Sequence, residues 1–395
     1  MNSTIKAFRF YTSGYTPIGV TTYYSDFTSH KVWGSSGRMV DSGVVLKAVL
    51  TQEVNNGGSF SVSLRKPETI DEGSPAKTSI TNLLGNYSYY IEVETPYNMD
   101  GNEAYASSYP ERLTKWRGMR ANTVEHTDHI DITFEGELSY LSKIVLNPYS
   151  LSAYNATNFV SSMIARYNNE VDTSAYLRFK FANSSDVDNG PVVARSNSNV
   201  STVWDEINDK ILKKYDNQLS ICDYPSTNNQ RTVYLRRLPL TPSGIINGQD
   251  IMSATHTVNG SERSREWILF GAQTSEAEGD INRISSSYRI YTSGYERNVT
   301  VISQTFRIYD DVTTTDTLAS KAQDLYNRAL LESDGIELSI TPQKASELVL
   351  GSLYTISCPR VGISGNYRLT KRVIDVLNPS KNKYTFGTAQ KFITR

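Results

Sequence analysis

Val44-Val45-Leu46-Lys47-Ala48-Val49-Leu50, Asn55-Asn56-Gly57-Gly58 and Ser59-Phe60-Ser61-Val62-Ser63-Leu64 follow one another closely along the chain. The last run alternates polar and apolar residues with a period of two, the spacing of a strand that lays one face on a core. The Asn-Asn-Gly-Gly residues tolerate positive φ, so the whole stretch reads as an antiparallel hairpin. A chain that opens on such hairpins is expected to be mainly β.

Moving outward, Tyr89-Tyr90-Ile91-Glu92-Val93 and Ile130-Asp131-Ile132-Thr133-Phe134-Glu135-Gly136 read as a further strand pair. The polar stretch from Asn98 to Asp128 is long for a hairpin loop and reads as an elaboration on one rim. Its Tyr105, Tyr109, Trp116, Arg117 and Arg120 form a candidate interface, because aromatic and Arg side chains are enriched where proteins meet.

After Leu146-Asn147-Pro148-Tyr149 the periodicity changes. Asn155 is placed to cap a helix with Phe159, Met163 and Ile164 on one face. Ser201 opens a second, carrying Val203, Trp204, Ile207, Ile211 and Leu212 at helical spacing. A hairpin of Gln218–Ile221 and Thr232–Leu235, turning at Pro225–Asn229, completes a small α/β unit. Leu238–Gly244 reads as a linker, and from about residue 246 strands return around one helix. That helix, 315–333, has Thr315 or Asp316 as its cap and Leu318, Ala322, Leu325, Ala329 and Leu330 on one face. Further strands fall at Gly335–Ile340, Leu353–Ile356 and Arg372–Val376. Tyr11-Thr12-Ser13-Gly14-Tyr15 recurs as Tyr291-Thr292-Ser293-Gly294-Tyr295, by coincidence or duplication.

At 395 residues the chain exceeds a typical single core. Its formal net charge of -1 supplies no field that would hold a phosphate backbone by counterion release. No run approaches the ~20 apolar residues of a membrane span, and Met1–Tyr15 lacks a charged segment followed by an apolar one, so a soluble protein is expected. Cys222 and Cys358 lie far apart without CxxC spacing, which argues against a disulfide scaffold and a thiolate metal site.

Catalytic signatures are sparse. H-E-x-x-H, G-x-S-x-G, a Cys-His pairing motif and a phosphate loop do not occur. Asp310 with Asp311, and Glu276 with Glu278, are neighbours in sequence only, whereas glycan hydrolysis needs a spatial pair about 5 to 10 Å apart. His30 and His256 are isolated. In Glu125-His126-Thr127-Asp128-His129-Ile130-Asp131 the two His point to opposite faces if the run is extended, and can share an ion only if it is a loop. The run reads as a polar turn leading into a strand. Arg231, Arg236 and Arg237 read as a solvated strand face. No catalytic residue, metal site or cofactor is expected.

Three ordered segments carry a resemblance that single motifs do not. Leu50–Phe60 looks like the opening hairpin of the tail-associated, or prophage endopeptidase-tail, family of long-tailed phages, and Phe134–Leu141 like the element closing that family's first domain. The residues concerned include Asn55, Asn56, Gly57, Gly58, Glu135, Gly136 and Glu137. Ser201–Ile207 through Val233-Tyr234-Leu235 is similar to the helix and hairpin that follow. Tyr309–Val312 through the capped helix to Ile336-Glu337-Leu338, Leu350-Gly351-Ser352, Asn378-Pro379 and Tyr384–Gly387 is similar to the last part. Two departures occur: Asp216-Asn217 where the family has Gly-Gly, and Tyr167-Asn168-Asn169 where it has His-Asn.

The resemblance implies a baseplate hub-like protein at the virion tail tip, assembled in the host cytoplasm. Its implied architecture is mainly β with an inserted α/β unit: an N-terminal β-barrel-like domain at 1–145, a satellite domain at 146–245 and a C-terminal β-rich domain at 246–395. A homotrimer is implied, meeting the distal tail protein ring, the tape-measure protein and receptor-binding or fibre proteins, with DNA only in transit. Many members carry a C-terminal cell-wall hydrolase; here the chain stops just after Phe386-Gly387, so no enzyme is expected. A peptidoglycan-degrading enzyme is the alternative, and a carbohydrate-binding tip with a Tyr-rich surface is a third reading.

Overall fold

The computed structural model describes residues 7–11, 17–24, 31–33, 39–41, 45–65, 90–94, 115–146, 152, 155–171, 177–190, 201–213, 215–223, 230–258, 266–273, 283–289, 304–309, 312–332, 334–375 and 377–388. The first described strands are β1 (Ala7–Tyr11), β2 (Pro17–Tyr24), β3 (Lys31–Trp33) and β4 (Met39–Asp41). The predicted hairpin forms as β5 (Val45–Glu53) and β6 (Asn56–Arg65), followed by β7 (Tyr90–Glu94), β8 (Lys115–Glu125) and β9 (His129–Gly136). Across β6 and β9, Phe60 faces Phe134, Val62 faces Ile132 and Leu64 faces Ile130. Strand β5 adds Leu50 opposite Phe60 and Ala48 opposite Val62. All of these are buried, so the period-two pattern read from the sequence is the inner face of a sheet.

The expected pairing of the segments around Ile91 and Ile132 is corrected, because a strand stands between them. Strand β8 pairs with β7 on one edge and β9 on the other. The polar stretch from Asn98 to Asp128 therefore ends in a sheet strand, not wholly in a rim elaboration. Only its first half meets the core: Trp116 and Gly118 are buried, while Ala121 and Asn122 are exposed. A strand that leaves the core halfway along its length shows no sustained alternation.

The α/β unit comprises α1 (Ala156–Glu170), β10 (Arg178–Asn183), α2 (Val203–Ile207) running into a π-turn at Asn208–Leu212, β11 (Asn217–Asp223) and β12 (Gln230–Arg237). Asn155 caps α1 as expected, accepting from the Asn158 N–H at 2.8 Å. The cap of α2 is Thr202, one residue later than predicted, in a reciprocal capping box with Asp205. The sheet runs β10-β12-β11, and its apolar face packs Phe179, Leu219 and Val233 against Phe159, Met163 and Ile207.

Residues predicted as a linker instead enter β13 (Pro242–Asn247), and β14 (Ile251–Val258) follows. A separate sheet of β15 (Glu266–Gln273), β16 (Arg283–Arg289) and β17 (Gln304–Ile308) carries α3 (Thr315–Glu332). Helix α3 is capped by Thr314, whose Oγ1 accepts from the Thr317 N–H at 3.4 Å, and it buries Leu318 and Ala322 beside Leu269 and Val312. The chain then forms β18 (Asp334–Ile340), the short α4 (Pro342–Ala345), β19 (Leu353–Cys358), β20 (Ile363–Asp375) and β21 (Lys383–Thr388).

Strand β20 joins the two ends of the chain. Its first half pairs with β19 and its second half, from Lys371 to Asp375, pairs with β5. The result is one 13-stranded sheet ordered β14-β18-β21-β20-β5-β6-β9-β8-β7-β1-β2, with β13 and β19 branching from β20. Both ends also share a single apolar cluster, in which Phe60 and Phe134 lie with Ile356, Leu369 and Phe386. Among the described residues no ladder closes either half into a barrel. The Tyr-Thr-Ser-Gly-Tyr segments lie outside the described residues except for Tyr11.

Candidate functional site: a polar seam between sheet and α/β unit

The tip of the β5-β6 hairpin does not end in solvent. Asn55 sits in the left-handed region at φ 56°, and Gly58 takes φ 72°. This geometry turns the Asn55 amide toward the free edge of β11, where its Nδ2 donates to the Asn217 carbonyl at 3.1 Å and its Oδ1 accepts from the Leu219 N–H at 2.9 Å. One side-chain amide thereby satisfies an edge carbonyl and an edge N–H together. Two other Asn residues do the same within the α/β unit. Asn168 bridges the N–H and carbonyl of Phe179, and Asn217 bridges those of Asp188.

Gly57 and Gly136 lie back to back. A Cβ on Gly136 would meet the Gly57 carbonyl oxygen at 1.7 Å, and one on Gly57 would meet Gly136 at 2.9 Å, so neither position has room for a side chain. Trp116 closes over this contact, its Nε1 donating to the Gly57 carbonyl at 3.0 Å. Trp116 is only 4% exposed, which corrects its reading as an interface anchor: its ring packs into the sheet's own core. Arg117 is taken up by Glu92, with contacts of 2.6 and 2.8 Å. Arg120 is half-buried on β8, and Tyr105 and Tyr109 lie outside the described residues.

Just past Gly136, Glu137 is buried and meets Arg231 of β12 at 2.9 Å, each residue 1% exposed. Neighbouring Glu135 turns outward to Lys143 at 3.1 Å, and Asn56 accepts from the Gly58 N–H. Arg236 donates to Gln218 at 2.7 and 3.1 Å and to the Leu350 carbonyl at 3.3 Å. Arg231 and Arg236 are therefore not a solvated face; they are buried where β12 meets the large sheet. From the C-terminal end, Arg368 donates to the Gly351 carbonyl at 2.6 Å and Arg372 to Gln52 at 2.7 Å. Burial raises the Asp216 carboxyl above its ordinary value and lowers Arg368, while the attraction between the two opposes both shifts.

The seam thus draws residues from all three parts of the chain, and a small cleft opens along it beside Asn55, Gly57, Trp116, Glu137, Gln218 and Leu350. Sequence reasoning missed the arginines. Glu137 lies 94 residues from Arg231 and Gln52 lies 320 from Arg372, so no local pattern announces those two. The arrangement is built for docking one folded unit on another.

The polar run between β8 and β9 is a turn leading into a strand, as expected, and it brings His126 and His129 together with rings stacked at 4.1 Å. Among the described residues no helix is long and apolar enough to cross a membrane.

With the geometry in view, two solved structures share the fold. One is the 43 kDa tail protein of prophage MuSo2 from Shewanella oneidensis, 11% identical, with 90% of this chain and 96% of that chain covered at a TM-score of 0.56. The other is a tail protein from Neisseria meningitidis MC58, 10% identical, with 90% and 95% covered at a TM-score of 0.56. No family model matches the sequence, and no curated protein matches it. The chain has the fold of phage tail proteins.

Proposed function

We propose that this chain is a structural component of a phage tail, acting as the hub at the distal end. The carrying observation is the fold likeness to the two prophage tail proteins, which runs through nine tenths of this chain and nearly the full length of each neighbour. In this reading the chain works as a homotrimer that joins the distal tail protein ring to the tail tip and gates exit of the tape-measure protein and DNA. Residues 1–145 and 246–395 form the two hub parts, held side by side by β20, and 146–245 is a satellite docked through the Asn55 and Glu137 contacts. Arg120, Tyr105 and Tyr109 remain the proposed contact with a neighbouring tail protein. The role is conformational, without catalysis by the chain itself.

The test is the mass of the purified protein alone and with its distal tail partner, run beside a peptidoglycan-release assay. A trimer that binds the partner ring and releases no peptidoglycan supports the reading. A stable monomer that digests cell wall and ignores the partner overturns it.

A further inference from the structure

We propose that the β8-β9 turn is a binding site for a divalent transition-metal ion of the zinc class, held by His126, His129 and Asp131. This inference rests on the turn alone and stands whether or not the chain is a tail hub. One ligand atom from each residue lies within 4.8 Å of the others. The His126 Nε2 to Asp131 Oδ2 distance is 3.3 Å, which equals the edge of a tetrahedron with metal bonds of about 2.0–2.1 Å. His129 Nε2 stands 3.9 Å from the same oxygen, and because the two rings are stacked 11° from parallel, one imidazole must rotate out of the stack for both lone pairs to meet at one ion.

The atoms turned away from this point are already engaged. His129 Nδ1 is hydrogen-bonded to Asp128 Oδ1 at 2.7 Å, the carboxylate–histidine arrangement that fixes ring orientation in metal sites. Asp131 Oδ1 accepts from the Ser63 hydroxyl of the adjoining strand, leaving Oδ2 to face the imidazoles. The backbone supports the same geometry, with the His126 N–H donating to the His129 carbonyl across the turn at 2.9 Å. A donor set of two imidazoles and one carboxylate favours zinc and its neighbours in the first transition row over magnesium or calcium. Three protein ligands leave one position of a tetrahedron to water. The ion would clip the tip of this hairpin shut.

The experiment titrates the tag-free, full-length protein with Zn2+ by calorimetry and with Co2+ by visible absorption. The chain has 4 His, which keeps background binding low. The expected result is one equivalent bound, with a tetrahedral Co2+ spectrum that excess Zn2+ erases. His126→Gln, at an exposed turn position, should abolish both signals, and Asp128→Ala should weaken binding by about tenfold by releasing His129 Nδ1. His256→Gln should leave binding unchanged. Each variant's thermal transition without metal is compared with wild type, and His129→Gln gives the same reading should His126→Gln fold poorly. No saturable binding by wild type, or binding that survives both His126→Gln and His129→Gln, overturns the site.

Discussion

The apolar face of β5, β6 and β9 and the polar seam at the tip of the same strands lie a few residues apart, yet they hold by opposite means. On the face, Phe60, Val62 and Leu64 meet Phe134, Ile132 and Ile130, and the stabilisation is area removed from water, to which many neighbours contribute. At the seam, Glu137 meets Arg231 and Asn55 meets the edge of β11, and the hold comes from specific polar contacts between named groups. A face of the first kind tolerates repacking. A seam of the second kind specifies which unit docks and in what register, because a misplaced partner leaves a charge or an N–H buried alone.

The largest effects should separate the two by rescue instead of size. Phe134→Ala should cost about 3–5 kcal/mol in urea unfolding, and Phe134→Leu should recover much of it, since volume and not identity matters there. Glu137→Ala should cost a similar ~3–5 kcal/mol by removing the buried carboxylate that the Arg231 guanidinium meets. A shape-matched apolar pair, Glu137→Leu with Arg231→Met, should recover most of the loss. A Glu137→Ala variant as stable as wild type would show that the seam carries no energy and that the contrast is wrong.

Next in size is Asn55, where two causes can be pulled apart. Asn55→Ala loses the amide bridge to Asn217 and Leu219 and also places an alanine at φ 56°, so a loss of roughly 1–3 kcal/mol is expected. Asn55→Gly restores only the backbone freedom and should recover the smaller part. Full recovery by glycine would mean that the amide contacts hold nothing. Gly58→Ala follows at about 1–2 kcal/mol, since its Cβ would meet the Thr51 carbonyl oxygen at 2.5 Å from a left-handed conformation. Both are read from thermal unfolding.

The same contrast explains what the sequence could tell. The face was legible because burial on one side imposes a period of two, and Ser59 through Leu64 carry it without interruption. Strand β8 was not, because only Trp116 and Gly118 touch the core before the strand turns outward. The buried arginines were illegible for a different reason. Arg231, Arg236 and Arg237 on a strand look alike whether solvated or buried, and Glu137, the partner that decides for Arg231, lies 94 residues away. Gly57 and Gly136 were singled out through the resemblance, while the reason for both, two backbones too close for a side chain, is a property of their meeting.

The smallest expected effect tests whether the seam is tuned by pH. Asp216 is buried at the seam, and its Oδ1 has no hydrogen-bond partner among the described residues. Desolvation lifts its carboxyl above the ordinary value of 3.8, with the attraction of Arg368 and Arg237 offsetting part of the rise. A raised carboxyl means that the folded state holds its proton more tightly than the unfolded one. The associated stability is therefore present below that ordinary value and is lost as pH climbs through the folded value. Asp216→Asn, which keeps the shape and never ionises, should match wild type near pH 4 and gain on it as pH rises toward neutrality. Melting temperatures across that range measure the difference. A gap that closes with rising pH would mean that Arg368 and Arg237 outweigh burial, and that the seam binds Asp216 as an ion pair of the same kind as Glu137 with Arg231.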